Sequence, residues 1–341
     1  MINTYPKHLT AMCNCRGFSL VELMIALVIT LILLGGISQI FLSSKKSFTV
    51  QDTLGRMQEN GRFSVDMLTA DLRRAGYWGG NADISQISGT LGSTDDDGTC
   101  ATTDTTWGRM VETRIYGLND TSAGYACLTG YSQGDALVLR YASPWVLGGT
   151  TLPTAPTAAE NANRIFLRSS LFSGRIFQGK DIDLQENDMD LDSTTPPKPS
   201  ERVSELIAHA YYIGSTAASQ CSGVNVPTLR RVDLGNNGQP GSAEIAFGIE
   251  QMQVRYGLDT DGDNTVDQFR DASDVVDAGP PATDWDNVIA ARIWLLTRAE
   301  CPETGFTNTN TYPMADIVYD PSPDDGFRRQ LYQSTVYLRN R

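Results

Sequence analysis

The sequence predicts an α+β protein: a long N-terminal helix, partly transmembrane, packed on an antiparallel β-sheet head. Three features predict it. Residues 18–42 form one apolar run, and a stripe of helical period continues beyond it to residue 75. The rest of the 341-residue chain carries strand-like segments that follow one another without intervening helices.

The apolar run reads FSLVELMIALVITLILLGGISQIFL, about the length a helix needs to cross a hydrocarbon core, and Glu22 is its only charged residue. A carboxylate in that setting costs roughly 2.5–3.5 kcal/mol on insertion scales, so it calls for a partner. Gly35 and Gly36 each cost about 1 kcal/mol against alanine in a helix interior. They fit either a loosened stretch of helix or close packing against a neighbour. Beyond the run, Leu54, Met57, Gly61, Val65, Leu68, Leu72 and Ala75 recur at intervals of three and four, the period of an amphipathic helix. Gly76 supplies the stop. The chain thus divides into a polar leader at 1–17, an apolar half-helix at 18–42, an amphipathic half-helix at 43–76 and a head at 77–341.

In the head, residues 77–134 are rich in Gly, Thr, Ser and Asp and read as an irregular region. Strand-like segments follow at 135–142, 164–168, 209–213, 228–234, 243–258, 288–298 and 330–339, which fits a β-meander. Residues 186–201, acidic and then Pro-rich, read as a solvated linker, and the acidic stretches 95–97 and 181–192 as solvated loops.

The charge balance is acidic, 27 Lys and Arg against 40 Asp and Glu, formally −13. Without residues 1–17, which contain Lys7 and Arg16 and no acid, it is −15. Such a surface repels phosphate backbones, so direct nucleic-acid binding is not expected. The chain has two histidines, His8 in the leader and His209 in the head, a poor inventory for a catalytic triad or a zinc site. Phosphate-binding glycine loops are absent as well. The composition argues against an enzyme.

The leader ends in Gly17 and the apolar run starts at once with Phe18. A secretory signal has its small-residue cleavage site after the apolar segment, not before it. The order Arg16-Gly17-Phe18-Ser19-Leu20-Val21-Glu22-Leu23 resembles the class III signal of type IV prepilins. That resemblance implies a type IV pilin-like fold, cleavage between Gly17 and Phe18 by a prepilin peptidase, and N-methylation of Phe18. It also implies that Glu22 pairs with the terminal amine of a neighbouring subunit during assembly. In the head, several segments resemble the PilW-type minor pilins: Met57-Gln58-Glu59-Asn60-Gly61-Arg62-Phe63, Asp71-Leu72-Arg73-Arg74-Ala75-Gly76-Tyr77, Val254 to Asp263, Trp285-Asp286-Asn287-Val288 and Val336 to Arg341. The implied protein is a non-catalytic minor pilin of the inner membrane, its head in the periplasm, that later joins the pilus. Implied partners are other minor and major pilins, the inner-membrane assembly machinery and a tip adhesin. Twitching motility, adhesion or DNA uptake would follow. A J-type pseudopilin of a type II secretion system is a second reading, and a membrane-tethered calcium or ligand receptor a third.

Six cysteines split by topology. Cys13 and Cys15 belong to the leader. Cys100, Cys127, Cys221 and Cys301 belong to the head, where export permits disulfides. Four cysteines allow three connectivities, and sequence proximity favours Cys100–Cys127 and Cys221–Cys301. Finally, Asp259, Asp261, Asp263 and Asp267 alternate around Gly262. Acids so spaced can gather oxygens on a Ca²⁺ ion, although Gly262 and Arg270 depart from the EF-hand pattern. A polar hairpin turn is the alternative.

Overall fold

The computed structural model describes residues 17, 19–80, 83–89, 100–101, 106–146, 163–179, 202–216, 221, 223–275, 284–321 and 325–340. The 95–97 and 181–192 stretches and the 186–201 linker lie outside them, as do Phe18 and the leader up to Arg16. The apolar run and the amphipathic stripe form one helix, α1, Leu20–Leu72, which continues through Gly35 and Gly36. The chain divides within it into two compact units, residues 1–52 and 53–341.

In the first unit, apolar side chains of α1 are exposed along its whole length: Leu20 at 77%, Ile32 at 69% and Phe41 at 67%. In the second, Met57, Gly61, Ser64, Leu68, Asp71 and Leu72 form the buried face. That face follows the expected stripe but includes Ser64 and Asp71, which a count of apolar positions does not register. Gly61 is needed for close approach, since a Cβ there would collide with the Tyr332 ring. The helix ends three residues before Ala75, in a turn over residues 73–76 that closes at Gly76 with φ +75°. Asn340 donates its side-chain amide to the carbonyls of Arg73, Arg74 and Ala75, each at 3.3 Å, satisfying helix-end acceptors that would otherwise be left open.

The strands form two main sheets. The first contains β1 (Ile87–Ser88), β2 (Ile115–Leu118), β3 (Tyr131–Val146), β4 (Ile165–Ser169), β5 (Gly174–Gln178), β6 (Arg202–Thr216), β7 (Val226–Leu234) and β8 (Pro240–Phe247). Its order is β1-β5-β4-β6-β3-β2, with β7 and β8 extending from β6. The second contains β9 (Ile249–Leu258), β10 (Gln268–Asp271), β11 (Val288–Arg298) and β14 (Arg329–Tyr337), in the order β10-β9-β11-β14. A small hairpin pairs β12 (Tyr312–Met314) with β13 (Ile317–Tyr319). All pairings are antiparallel except β1 with β5.

Three expectations need correction. The strand expected at 243–258 is two strands in different sheets: Gly248, at φ +73°, turns the chain from one to the other. Only part of the array is a meander, because β3 pairs with β6 across a long connection. The 77–134 region is not wholly irregular. It holds β1, β2 and the start of β3, short elements ordered by pairing with neighbours rather than by their own propensity.

One core lies between α1 and the two sheets, with Leu68 and Leu72 against Leu137, Leu139, Val254 and Ile293. Alternate residues face the other way. Ala136 and Val138 of β3 pack with Trp107, Tyr125 and Cys127, while Trp294 and Leu296 of β11 pack with Tyr312 and Met314. At β3 and β11 each sheet is therefore covered on both faces.

Candidate functional site

At the N-terminus Gly17 is exposed, and a Cβ there would meet nothing within 4 Å. Ser19 O accepts the N–H of Leu23 at 3.1 Å as α1 begins, and Glu22 sits in the first helical turn. Helix N–H groups left open there favour a carboxylate. Around it the helix is apolar on every side, the character of a segment that meets lipid or other apolar helices rather than water. Phe18, Cys13, Cys15 and His8 lie outside the described residues.

The acidic loop joins β9 to β10. Asp259, largely buried, accepts the Gly262 N–H at 2.7 Å and the Asn264 N–H at 2.9 Å. Asp267 accepts both the N–H and the hydroxyl of Thr260 at 2.7 Å. These bonds, from the Thr260 side chain first, hold its carboxyl below the usual carboxylate range. Oxygens of Asp259, Asp261 and Asp267 lie within 4.8 Å of one another. Asp263 does not join them. Its carboxylate bonds to the N–H and hydroxyl of Thr265, at 2.7 and 2.6 Å. The structure thus brings three of the four expected acids together and turns the fourth to a local role.

Disulfides join Cys100 to Cys127 and Cys221 to Cys301, with Cα atoms 5.4 and 5.8 Å apart. The first closes the segment that covers the outer face of the eight-stranded sheet.

A buried polar network at the helix end has no counterpart in the motif reading. Asp71 Oδ2 meets His209 Nδ1 and accepts the Tyr211 hydroxyl, both at 2.5 Å, and Asp71 Oδ1 accepts the Tyr141 hydroxyl at 2.9 Å. His209 Nε2 meets Asp233 at 3.0 Å, and Arg231 pairs with the same carboxylate at 2.6 Å. Burial opposes charge on His209, but bonds to Asp233 and Asp71 outweigh it and raise the imidazole pKa. Burial likewise opposes ionisation of Asp71 and Asp233, and the imidazole overrides it, lowering both. The available signal was an acid on the apolar stripe: Asp71 lies three residues from Leu68 and four from Ala75. A second network seats the buried Glu250 against Arg329 and, at 3.3 Å, Arg298, and Arg329 also reaches Asp325 at 2.6 Å.

An exposed apolar helix thus follows Gly17 and runs on into a β-rich head. Residues 12–38 match the prokaryotic N-terminal methylation motif. Residues 210–340 match the family model of the type IV pilus-assembly protein W. Among solved structures, a type IV-like pilin from Thermus thermophilus is 14% identical, covering 83% of this chain and 96% of its own at a TM-score of 0.34. No curated protein matches the chain.

Proposed function

We propose that the protein is a non-catalytic minor pilin that helps prime type IV pilus assembly. It is held in the inner membrane by α1 with its head in the periplasm, cut after Gly17 by the prepilin peptidase, and methylated on Phe18. It then joins other pilins in the filament, through which motility, adhesion or DNA uptake follows. The observation that supports this most is the apolar surface of residues 20–42 of α1, interrupted by the single carboxylate of Glu22. Pairing Glu22 with the terminal amine of an adjoining subunit would offset its desolvation and set the register between helices. The bulk of the head suits a tip or rare position better than one repeated along a thin fibre. The non-catalytic reading is supported by His209, whose two ring nitrogens are both taken by structural carboxylates.

The test is Glu22→Ala. It should insert into the membrane normally and fail to enter the filament or its priming complex, and undiminished incorporation would remove Glu22 as the docking group. A pseudopilin of type II secretion would share this geometry, and genes for secretion components beside this one would favour it.

For the acidic loop we propose Ca²⁺, supported by the three converging carboxylates. Asp259 and Asp267 would hold it from the two ends of the loop and Asp261 from its crown.

A further inference from the structure

A second oxygen-rich site lies away from the acidic loop, where the eight-stranded sheet, the four-stranded sheet and the small hairpin meet. Asn119 and Asp120 follow β2, Asp135 lies in β3, Gln253 in β9, and Asp316 at the β12–β13 turn. Asp135 is 1% exposed. Its carboxylate accepts the Asp120 N–H at 3.0 Å and the Val254 N–H at 2.7 Å, bridging the two sheets. Arg255, which feels the charge of Asp316, is committed to Asp271 at 2.6 and 3.1 Å.

Two carboxamides mark the corner as a place for a ligand. Gln253 is fully buried and donates its Nε2 to Asp120 Oδ1 at 2.8 Å, yet its Oε1 is buried with no partner. Asn119 donates its Nδ2 to Asp316 Oδ2 at 3.1 Å and likewise leaves a buried Oδ1 with none. Flipping either amide would set oxygen against carboxylate oxygen, so these orientations follow from chemistry. Each carboxamide gives an N–H to an acid and holds an unsatisfied acceptor oxygen. A buried acceptor in that state costs about 1–3 kcal/mol. Acids and orphaned carboxamide oxygens share one want, a hard cation.

We propose that this corner binds Ca²⁺, with Asp120, Asp316 and the side-chain oxygens of Asn119 and Gln253 as ligands, water completing the shell. Carboxylates and carboxamide oxygens are the donor set that Ca²⁺ takes. Asp135 acts as a positioning residue, fixing the Asp120 backbone. The ion fastens the two sheets and the hairpin at one point.

Calcium titration of the full-length protein in detergent micelles tests this, in the wild type and in Asp261→Asn, which weakens the acidic loop. Asp120→Asn with Asp316→Asn should lose one Ca²⁺ per chain, or at least tenfold in affinity, in both backgrounds. Both positions are exposed, and Asn tolerates the φ of +47° at residue 120. Unchanged stoichiometry and affinity in that double variant overturns the proposal, as does loss of all binding in Asp261→Asn alone. Asn119→Asp provides a second arm. It should make stability more dependent on Ca²⁺ by adding a charged ligand, whereas equal destabilisation with and without Ca²⁺ contradicts the site.

Discussion

Asp71 in the last turn of α1 meets His209 of β6 at 2.5 Å, so the helix is tied to the sheet by a buried carboxylate–imidazole pair. Around the imidazole stand Asp233 and Arg231 from β7, Tyr141 from β3, Tyr211 from β6 and Arg74 beside the helix end. Removing one member of such a pair leaves the other buried without compensation, which costs about 3–5 kcal/mol. His209→Gln should therefore lower stability by that order.

The pH dependence has a definite sign. The His209 pKa is raised on folding, so its contribution is complete below about pH 6.5 and disappears as pH rises through the folded value. Asp71 and Asp233 are lowered, so theirs is present above the ordinary carboxylate range and disappears as pH falls through their folded values. The network is strongest in weak acid. Thermal unfolding of the wild type should show stability falling above pH 6.5, and His209→Gln should flatten that limb. An identical slope in the variant would mean that the imidazole is not charged in the fold.

The acidic loop separates two neighbouring acids. If Ca²⁺ binds there, Asp261→Asn should remove the part of the calcium-induced rise in melting temperature that the loop contributes. Asp263→Asn should leave that rise nearly intact, because its carboxylate serves Thr265. Equal effects from the two substitutions would show that the separation of Asp263 from the cluster has no consequence.

The disulfides should differ in weight. Closing segments whose ends are 27 and 80 residues apart removes chain entropy worth roughly 3.5 and 4.5 kcal/mol, so opening Cys221–Cys301 should cost more. Urea unfolding of the paired Cys→Ser variants measures both. Removal of Cys100–Cys127 should also loosen the cover over Val138 and Tyr212.

The sequence made the helix and most of the long strands legible, because period and β-branched composition are local properties. It also held motifs whose purpose appears only in the fold. Asp71–Tyr77 lies where the helix gives way to the head and Val336–Arg341 about 260 residues later, yet Asn340 caps the helix end at Arg73–Ala75. Gly61 is one more position of the helical stripe until Tyr332 is placed against it. Gly248 reads as one residue in a continuous strand until its positive φ assigns the flanking halves to different sheets. Strands β1 and β2 were hidden because partner register orders them, and the Asp71–His209 pair because its members are 138 residues apart. Alternation of acids placed Asp263 with its neighbours, but its bonds to Thr265 turn it to a local role.

The central claim is that this chain is a processed pilin subunit, and mass spectrometry of the N-terminus of the protein purified from its own membranes tests it most directly. The mature chain should begin at Phe18 with one added methyl group, and Gly17 replaced by a bulkier residue should leave the precursor uncut. A chain that still begins at unmodified Met1, or one cut beyond residue 36, would contradict it.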